Sequence, residues 1–157
     1  MADGYNGGNI MKKIIYAIAA LLMLTLSSCQ KDELSTVTGE WALIEASGVD
    51  AEQAEVYIHF MADGNFALYQ KFTSASYHLY NGTYTVTESV LKGTYADGSS
   101  FGTDYKVSKE SGNLVLTPVG SKKPESASKY KPTTISEEVK ANAVSVLTKS
   151  ADYQPYL

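Results

Sequence analysis

The chain has 157 residues, enough for one domain with short extensions and too few for a typical two-domain enzyme. Apolar residues make up 44% and charged residues 19%, a balance that excludes a disordered chain or a protein with several membrane-spanning helices. The formal net charge is -4 and all 13 basic residues are lysines. This composition argues against a nucleic-acid partner, because it supplies neither a positive field nor arginine side chains for phosphate.

The first 28 residues have the features of an export leader. Lys12 and Lys13 precede 13 largely apolar residues, 14–26. A membrane-spanning helix needs roughly 20 apolar residues, so this stretch predicts a secretory signal peptide that is removed. Residues 1–10 are polar and glycine-rich and lie ahead of a better start at Met11. We therefore exclude them from the fold.

Cys29 is the single cysteine of the chain. A lone cysteine is often a free thiol, but this one directly follows Leu26-Ser27-Ser28 at the end of the apolar stretch. That motif resembles the lipobox of bacterial lipoproteins, in which a peptidase cuts before a diacylglyceryl-modified cysteine. The resemblance implies that Cys29 is the lipid attachment site and that a membrane is a partner. Residues 29–35 would form a lipidated tether.

The tether carries a clue to localisation. Gln30-Lys31-Asp32-Glu33 resembles the short export signal that sends lipoproteins of Bacteroidetes to the outer face of the outer membrane. An ordinary charged and solvated tether is the alternative. We expect an outer membrane lipoprotein exposed at the cell surface, or otherwise held at the periplasmic face.

Residues 36–119 show the pattern of antiparallel strands. Apolar and polar residues alternate with period two, as in Val56, Ile58 and Phe60 on one face, and turn residues separate the stretches. Twelve tyrosines against four phenylalanines also suit half-buried sheet surfaces. The pattern predicts an all-β meander with strands at 37–46, 55–61, 66–72, 77–87, 90–95, 101–108 and 113–119.

The remaining residues differ in composition. Residues 120–132 are rich in Lys, Pro and Ser and predict a linker. Residues 133–157 predict a short helix and tail, because Thr134 and Glu137 resemble a capping box ahead of an apolar stripe. The β-branched run at 144–147 leaves an eighth strand as an alternative.

Several short motifs point to a family. Gly39-Glu40-Trp41 resembles the Gly-x-Trp opening of lipocalins, in which the tryptophan plugs one end of the barrel. Three later motifs resemble the short lipocalin-like (calycin) domains of Bacteroidetes lipoproteins: Phe60-x-x-Asp63-Gly64-x-Phe66, Gly82-Thr83-Tyr84-x-Val86 and Leu114-Val115-Leu116. The resemblance covers residues 36–119 and implies a small up-and-down barrel of seven or eight strands. The region is shorter than a full lipocalin, and the arginine that usually packs over the tryptophan is absent.

A set of apolar and aromatic side chains on the inward faces gives the candidate ligand-binding residues. Side chains fill a small eight-stranded barrel, so simple packing is one interpretation. The other is a cavity for a lipid, a bile-acid-like molecule or an aromatic molecule. The predicted function is therefore the binding of a small hydrophobic ligand. The residues concerned are Trp41, Phe60, Leu68, Tyr84, Tyr95 and Tyr105.

The alternative is a non-catalytic interaction module that docks a partner protein or a glycan through its outer face. Tyr57, Tyr69 and Tyr77 have the opposite parity and would stack on sugar rings if exposed. Glycan binding at the outer face is thus distinct from ligand binding inside the barrel.

We predict no enzymatic activity, metal or cofactor. Gly98-Ser99-Ser100-Phe101-Gly102 matches the Gly-x-Ser-x-Gly pattern, but a nucleophile elbow needs a following helix and a later histidine. Both histidines, His59 and His78, precede this motif. They are also too few for a zinc site, since the single cysteine is assigned to lipid.

Overall fold

The computed structural model describes residues 34–47, 54–121, 123, 126–147 and 154–157. Within these ranges the chain forms nine strands and a short C-terminal helix, α1 (Glu137–Asn142). The strands are β1 (Gly39–Glu45), β2 (Glu55–Phe60), β3 (Asn65–Lys71), β4 (His78–Thr87), β5 (Val90–Tyr95), β6 (Tyr105–Glu110), β7 (Asn113–Pro118), β8 (Ser128–Pro132) and β9 (Val144–Ser145).

The first eight strands form a closed barrel. Each strand pairs antiparallel with the next, and β8 pairs antiparallel with β1 to complete the circle. The short β9 lies outside the circle and pairs in parallel with the start of β4. The predicted all-β barrel with a short C-terminal helix is therefore confirmed.

Alternation along the strands places the core inside the barrel. In β2, Val56, Ile58 and Phe60 point inward and are at most 2% exposed, while Tyr57 and His59 point outward and are half-buried. This is the period-two pattern that the sequence predicts. The same parity fills the interior from all eight barrel strands with one continuous apolar cluster.

The predicted linker at 120–132 is wrong in its last five residues, which form β8. The inward-facing Tyr130 is completely buried and lies opposite Leu43 of β1 and Leu114 of β7. Burial of one large aromatic side chain between two strands outweighs the polar composition of its neighbours, which face outward. The barrel therefore ends at Pro132 and not at residue 119.

The helix is shorter than the apolar stripe predicts and does not start at Thr134. Ser136 is the N-cap, and its hydroxyl accepts a hydrogen bond from the Val139 N–H at 3.3 Å. The helix ends at Asn142 because the Val144 N–H bonds to the Tyr77 carbonyl of the sheet, at 2.8 Å. The alternative strand at 144–147 is thus present in part, as β9 and not as a barrel strand.

The strand predicted at 101–108 begins only at Tyr105. Ahead of it, the Phe101 ring turns inward and lies directly against Gly93 of β5. The β5–β6 ladder is consequently short, with only two residue pairs, and one isolated bridge joins Thr94 to Ser100.

The two ends of the barrel differ in their connections. At one end, here called the tight-turn end, the hairpins are short, at 61–64, 88–89 and 111–112. At the other, here called the long-loop end, the connections are 46–54, 72–77, 96–104 and 119–127. Glu88 and Ser89 both have positive φ, as the tight β4–β5 hairpin requires. Long connections at one end are where a ligand site is most readily built.

A second, smaller core covers the outer face of β3. Ile135 and Val139 pack against Ala67 and Tyr69, and all four side chains are buried. Glu40 fastens this cover, since its carboxylate accepts a hydrogen bond from the Ile135 N–H at 2.7 Å and pairs with Lys140 at 3.1 Å. Burial alone would raise the pKa of the Glu40 carboxyl, but these partners hold it below the usual value.

Close packing at Gly93 gives a direct test of the fold. A β-carbon at Gly93 would lie 2.1 Å from the Phe101 ring, whereas one at Gly102 would meet no atom within 4 Å. We expect Gly93→Ala to lower the free energy of unfolding by about 1–3 kcal/mol, as overpacking does. Gly102→Ala is the matched control and should change it by less than about 0.5 kcal/mol. Urea denaturation measures both, and equal effects would contradict this packing.

Candidate functional site

The structure brings all six predicted ligand-lining residues into the barrel interior. They belong to one buried cluster, and none is more than 8% exposed. By their positions along the strands, three lie toward the tight-turn end, one near the middle and two toward the long-loop end. In that order they are Trp41, Phe60 and Tyr84, then Leu68, then Tyr95 and Tyr105. Their role in binding stays a prediction.

Aromatic rings fill much of the interior. Phe60 and Tyr84 meet edge to face with centroids 4.9 Å apart, and Tyr95 meets Phe101 at 5.3 Å. Phe66 lies against both Tyr95 and Phe101, at 5.5 and 5.1 Å. Tilted contacts of this kind are the favourable arrangement of aromatic pairs. The interior is therefore a well-packed aromatic lining rather than an open calyx.

The tight-turn end is closed by the residues that lie just ahead of β1. The Trp41 indole N–H donates a hydrogen bond to the Val37 carbonyl at 2.7 Å, and Val37 itself is completely buried. The Lys109 ammonium lies 5.4 Å from the centre of the Trp41 ring. This cation–π contact supplies the cation over the tryptophan that the missing arginine would otherwise provide.

The long-loop end is occupied by residues 154–157. Leu157 is 3% exposed and joins the interior cluster. The Tyr95 hydroxyl donates a hydrogen bond to the main-chain oxygen of Leu157 at 2.6 Å. Gln70 of β3 bonds the same segment twice, donating to the Gln154 carbonyl at 2.7 Å and accepting from the Tyr156 N–H at 2.8 Å. The segment is thus held by side chains that point into the barrel.

Tyrosine hydroxyls gather around this segment. The Ser128 and Tyr156 hydroxyls are 2.7 Å apart, and the phenol groups of Tyr95, Tyr105 and Tyr130 lie near enough to influence one another. Burial raises the pKa of Tyr105 to about 12 and also raises the pKa of Tyr95 and Tyr130 well above the usual value. The phenol groups at this end of the barrel therefore keep their protons at neutral pH.

Sequence reasoning missed most of the polar groups at this end. Gln70 has the same parity as Phe66 and Leu68 and is only 3% exposed, so a polar residue on an apolar face was the available signal. Tyr156 and Leu157 carry no comparable signal, because their partners lie far away in the sequence. The same holds for Ser128, which belongs to the strand that the composition conceals.

An outer groove of about 470 Å³ lies between β2, the β3–β4 loop and α1. Tyr57 and Tyr77 flank it with ring centroids 6.1 Å apart. Glu55 accepts hydrogen bonds from the Tyr77 hydroxyl and from Lys71. Tyr69 does not meet the condition of exposure that stacking on a sugar requires, because it is buried in the second core with Ile135 and Val139.

The structure gives other roles to the residues considered for catalysis or metal binding. Asp97 accepts hydrogen bonds from the Ser99 N–H at 2.9 Å and from its hydroxyl at 2.6 Å, so the Gly-x-Ser-x-Gly stretch forms a turn. His59 lies 3.7 Å from Glu40. Across the described ranges, no three His, Cys, Asp or Glu side chains are grouped to hold a metal ion.

Two further predictions concern the membrane. Cys29, the leader and residues 29–33 of the tether lie outside the described residues. No helix within the described residues combines the length and the hydropathy that crossing a bilayer requires.

The fold and its lining define a class of antiparallel barrel proteins, and comparison with known proteins names the family. The model of the lipocalin-like domain family matches residues 37–116, just over half of the chain. The protein belongs to this family, whose barrels generally bind hydrophobic molecules without catalysis. Neither the search of curated proteins nor the search of solved structures finds a match.

The buried phenol of Tyr105 predicts a pH effect. Its folded pKa of about 12 exceeds the unfolded value of about 10, so its contribution to stability is complete below pH ~10 and is lost as the pH rises toward ~12. We expect the free energy of unfolding to fall over this interval, and to fall less steeply in Tyr105→Phe. Guanidinium denaturation at several pH values measures both slopes. Because the lysines are unchanged in the variant, identical slopes would contradict the assignment.

Proposed function

We propose that this protein is a non-enzymatic, membrane-anchored lipoprotein whose barrel binds a small hydrophobic ligand at the long-loop end. One observation carries the proposal: Tyr95 and Tyr105 belong to the apolar interior cluster and lie at the long-loop ends of their strands. Ligand sites combine such apolar walls with a few polar groups that orient the molecule. Family membership supports hydrophobic ligands in general.

The rest of the interior supports the same end of the barrel. Trp41 and its hydrogen bond to Val37 block the tight-turn end. Phe60 and Tyr84 fill the adjoining layer, so they and Trp41 form the floor of the site. Leu68 lies between this floor and the tyrosines of the long-loop end. The ligand therefore enters between the long loops. The floor residues, Trp41, Phe60 and Tyr84, contribute by packing.

The membrane anchor is a separate part of the proposal. It rests on the lipobox-like sequence that ends at Cys29 and on the polar residues that follow. Each buried methylene of an acyl chain contributes about 0.8 kcal/mol, so two or more chains hold a protein on a bilayer. We place the protein in the outer membrane, exposed at the cell surface, with the periplasmic face as the alternative.

Ligand binding is tested with a neutral fluorophore, N-phenyl-1-naphthylamine, whose emission rises in apolar surroundings. We expect saturable binding at one site per chain. Tyr105→Trp enlarges a side chain at the proposed site and should weaken binding at least tenfold. Tyr57→Trp makes the same exchange on the outer face and should leave binding unchanged. Circular dichroism confirms folding of each variant, and a fluorophore that does not bind the wild-type protein would refute the proposal.

The anchor is tested by metabolic labelling with radioactive palmitate in a bacterial host. We expect label in the wild-type protein and none in Cys29→Ala. Ser28→Thr is the control: it changes the leader next to Cys29 but retains the cysteine, so it tests whether a change in processing of the leader alone alters the amount of label. Absence of label from the wild-type protein would refute the anchor without bearing on ligand binding.

A second candidate function is glycan binding in the outer groove. The observation that favours it is the pair of partly exposed rings, Tyr57 and Tyr77, beside the polar side chains of Glu55 and Lys71. Aromatic faces flanked by hydrogen-bonding groups suit sugar rings. A glycan array tests this function. Binding of a glycan by the wild-type protein that is lost in Tyr57→Ala and kept in Tyr105→Trp would favour it over the first.

A further inference from the structure

The segment 154–157 has the features of a bound ligand rather than of a loop. Its apolar residue, Leu157, is buried in the interior cluster. Its main chain is bound by side chains from two strands, Gln70 of β3 and Tyr95 of β5, and the Tyr156 hydroxyl pairs with the Ser128 hydroxyl of β8. The contacts are thus those of an extended molecule lying in the mouth of a barrel.

Gln70 defines the polar chemistry of this site. Its amide donates one hydrogen bond to the Gln154 carbonyl and accepts one from the Tyr156 N–H. Because Gln70 is only 3% exposed, a molecule that displaced the segment without replacing both hydrogen bonds would leave a buried amide unsatisfied. Whatever replaces the segment must therefore offer a donor and an acceptor close together, as an amide group does.

We infer that residues 154–157 are an internal occupant of the barrel's ligand site, and that they exchange with an amphiphile that carries an amide group and an apolar chain. The inference rests on the proposed function and adds the ligand class and a built-in competitor. The amide of the ligand takes the contacts of Gln70 and Tyr95, and the part of its chain next to the amide takes the place of Leu157. Binding is then weakened by the cost of displacing the segment.

The test uses oleamide as ligand and the full chain in every case. Leu157→Asn removes the apolar contact that holds the segment, and we expect it to bind oleamide at least tenfold more tightly than the wild-type protein does. Leu147→Asn is the matched control, since Leu147 is 74% exposed, and it should bind like the wild type.

Gln70→Leu tests the amide contact separately. We expect it to lower the affinity for oleamide relative to that for N-phenyl-1-naphthylamine, because both ligands gain from release of the segment but only oleamide loses the paired donor and acceptor. An unchanged ratio of the two affinities would contradict the role of Gln70. Circular dichroism and urea denaturation establish that each variant is folded.

A measurement on the wild-type protein guards against variants that fail to fold. Hydrogen exchange of the Tyr156 N–H, which bonds to Gln70, should speed up when oleamide saturates the protein. Unchanged exchange, or weaker oleamide binding in Leu157→Asn, would overturn the internal occupant. Equal binding of oleamide by both proteins would overturn it as well, yet leave ligand binding intact. Absence of fluorophore binding by the wild-type protein would overturn the proposed function itself.

Discussion

The antiparallel ladder between β1 and β8 is the interaction on which the rest of the structure depends. It turns an open meander into a barrel and so gives the inward side chains a common interior. Tyr130 stabilises the closure, because its ring is wholly buried opposite Leu43. The ion pairs of Lys129 with Glu45 and Glu110 lie on the exposed side and contribute little.

Most of the barrel was predictable because its strands obey two local rules. β2 alternates strictly, and turn residues such as Asp63 and Gly64 mark where it reverses. β8 escapes these rules: only Tyr130 among its five residues is a large apolar side chain, and Pro132 ends it. Its pairing is decided by partners many residues away, which no local pattern reveals. The start of β6 was misplaced for a similar reason, since Phe101 packs inward instead of continuing the ladder.

The sequence predicts which residues line the site but not how they are arranged in it. Parity along the strands places Leu68 and Tyr95 inside correctly, because a barrel buries one face of each strand. Parity also places the Tyr69 side chain on the outer face, but it does not reveal that Ile135 packs over this face. The pairing of Gln70 with residues 154 and 156 joins positions more than 80 residues apart. Such contacts follow from the closed barrel and not from any short stretch of sequence.

The small strand β9 has a consequence for how the molecule meets its neighbours. β5 ends opposite Gly82, so the first residues of β4 would otherwise present unsatisfied backbone groups to the surroundings. β9 pairs there with His78 and Leu79, so the edge that faces the surroundings is now that of β9, which is two residues long. Edges that short are poor templates for a foreign strand. The chain thereby leaves little free edge for sheet-to-sheet self-association.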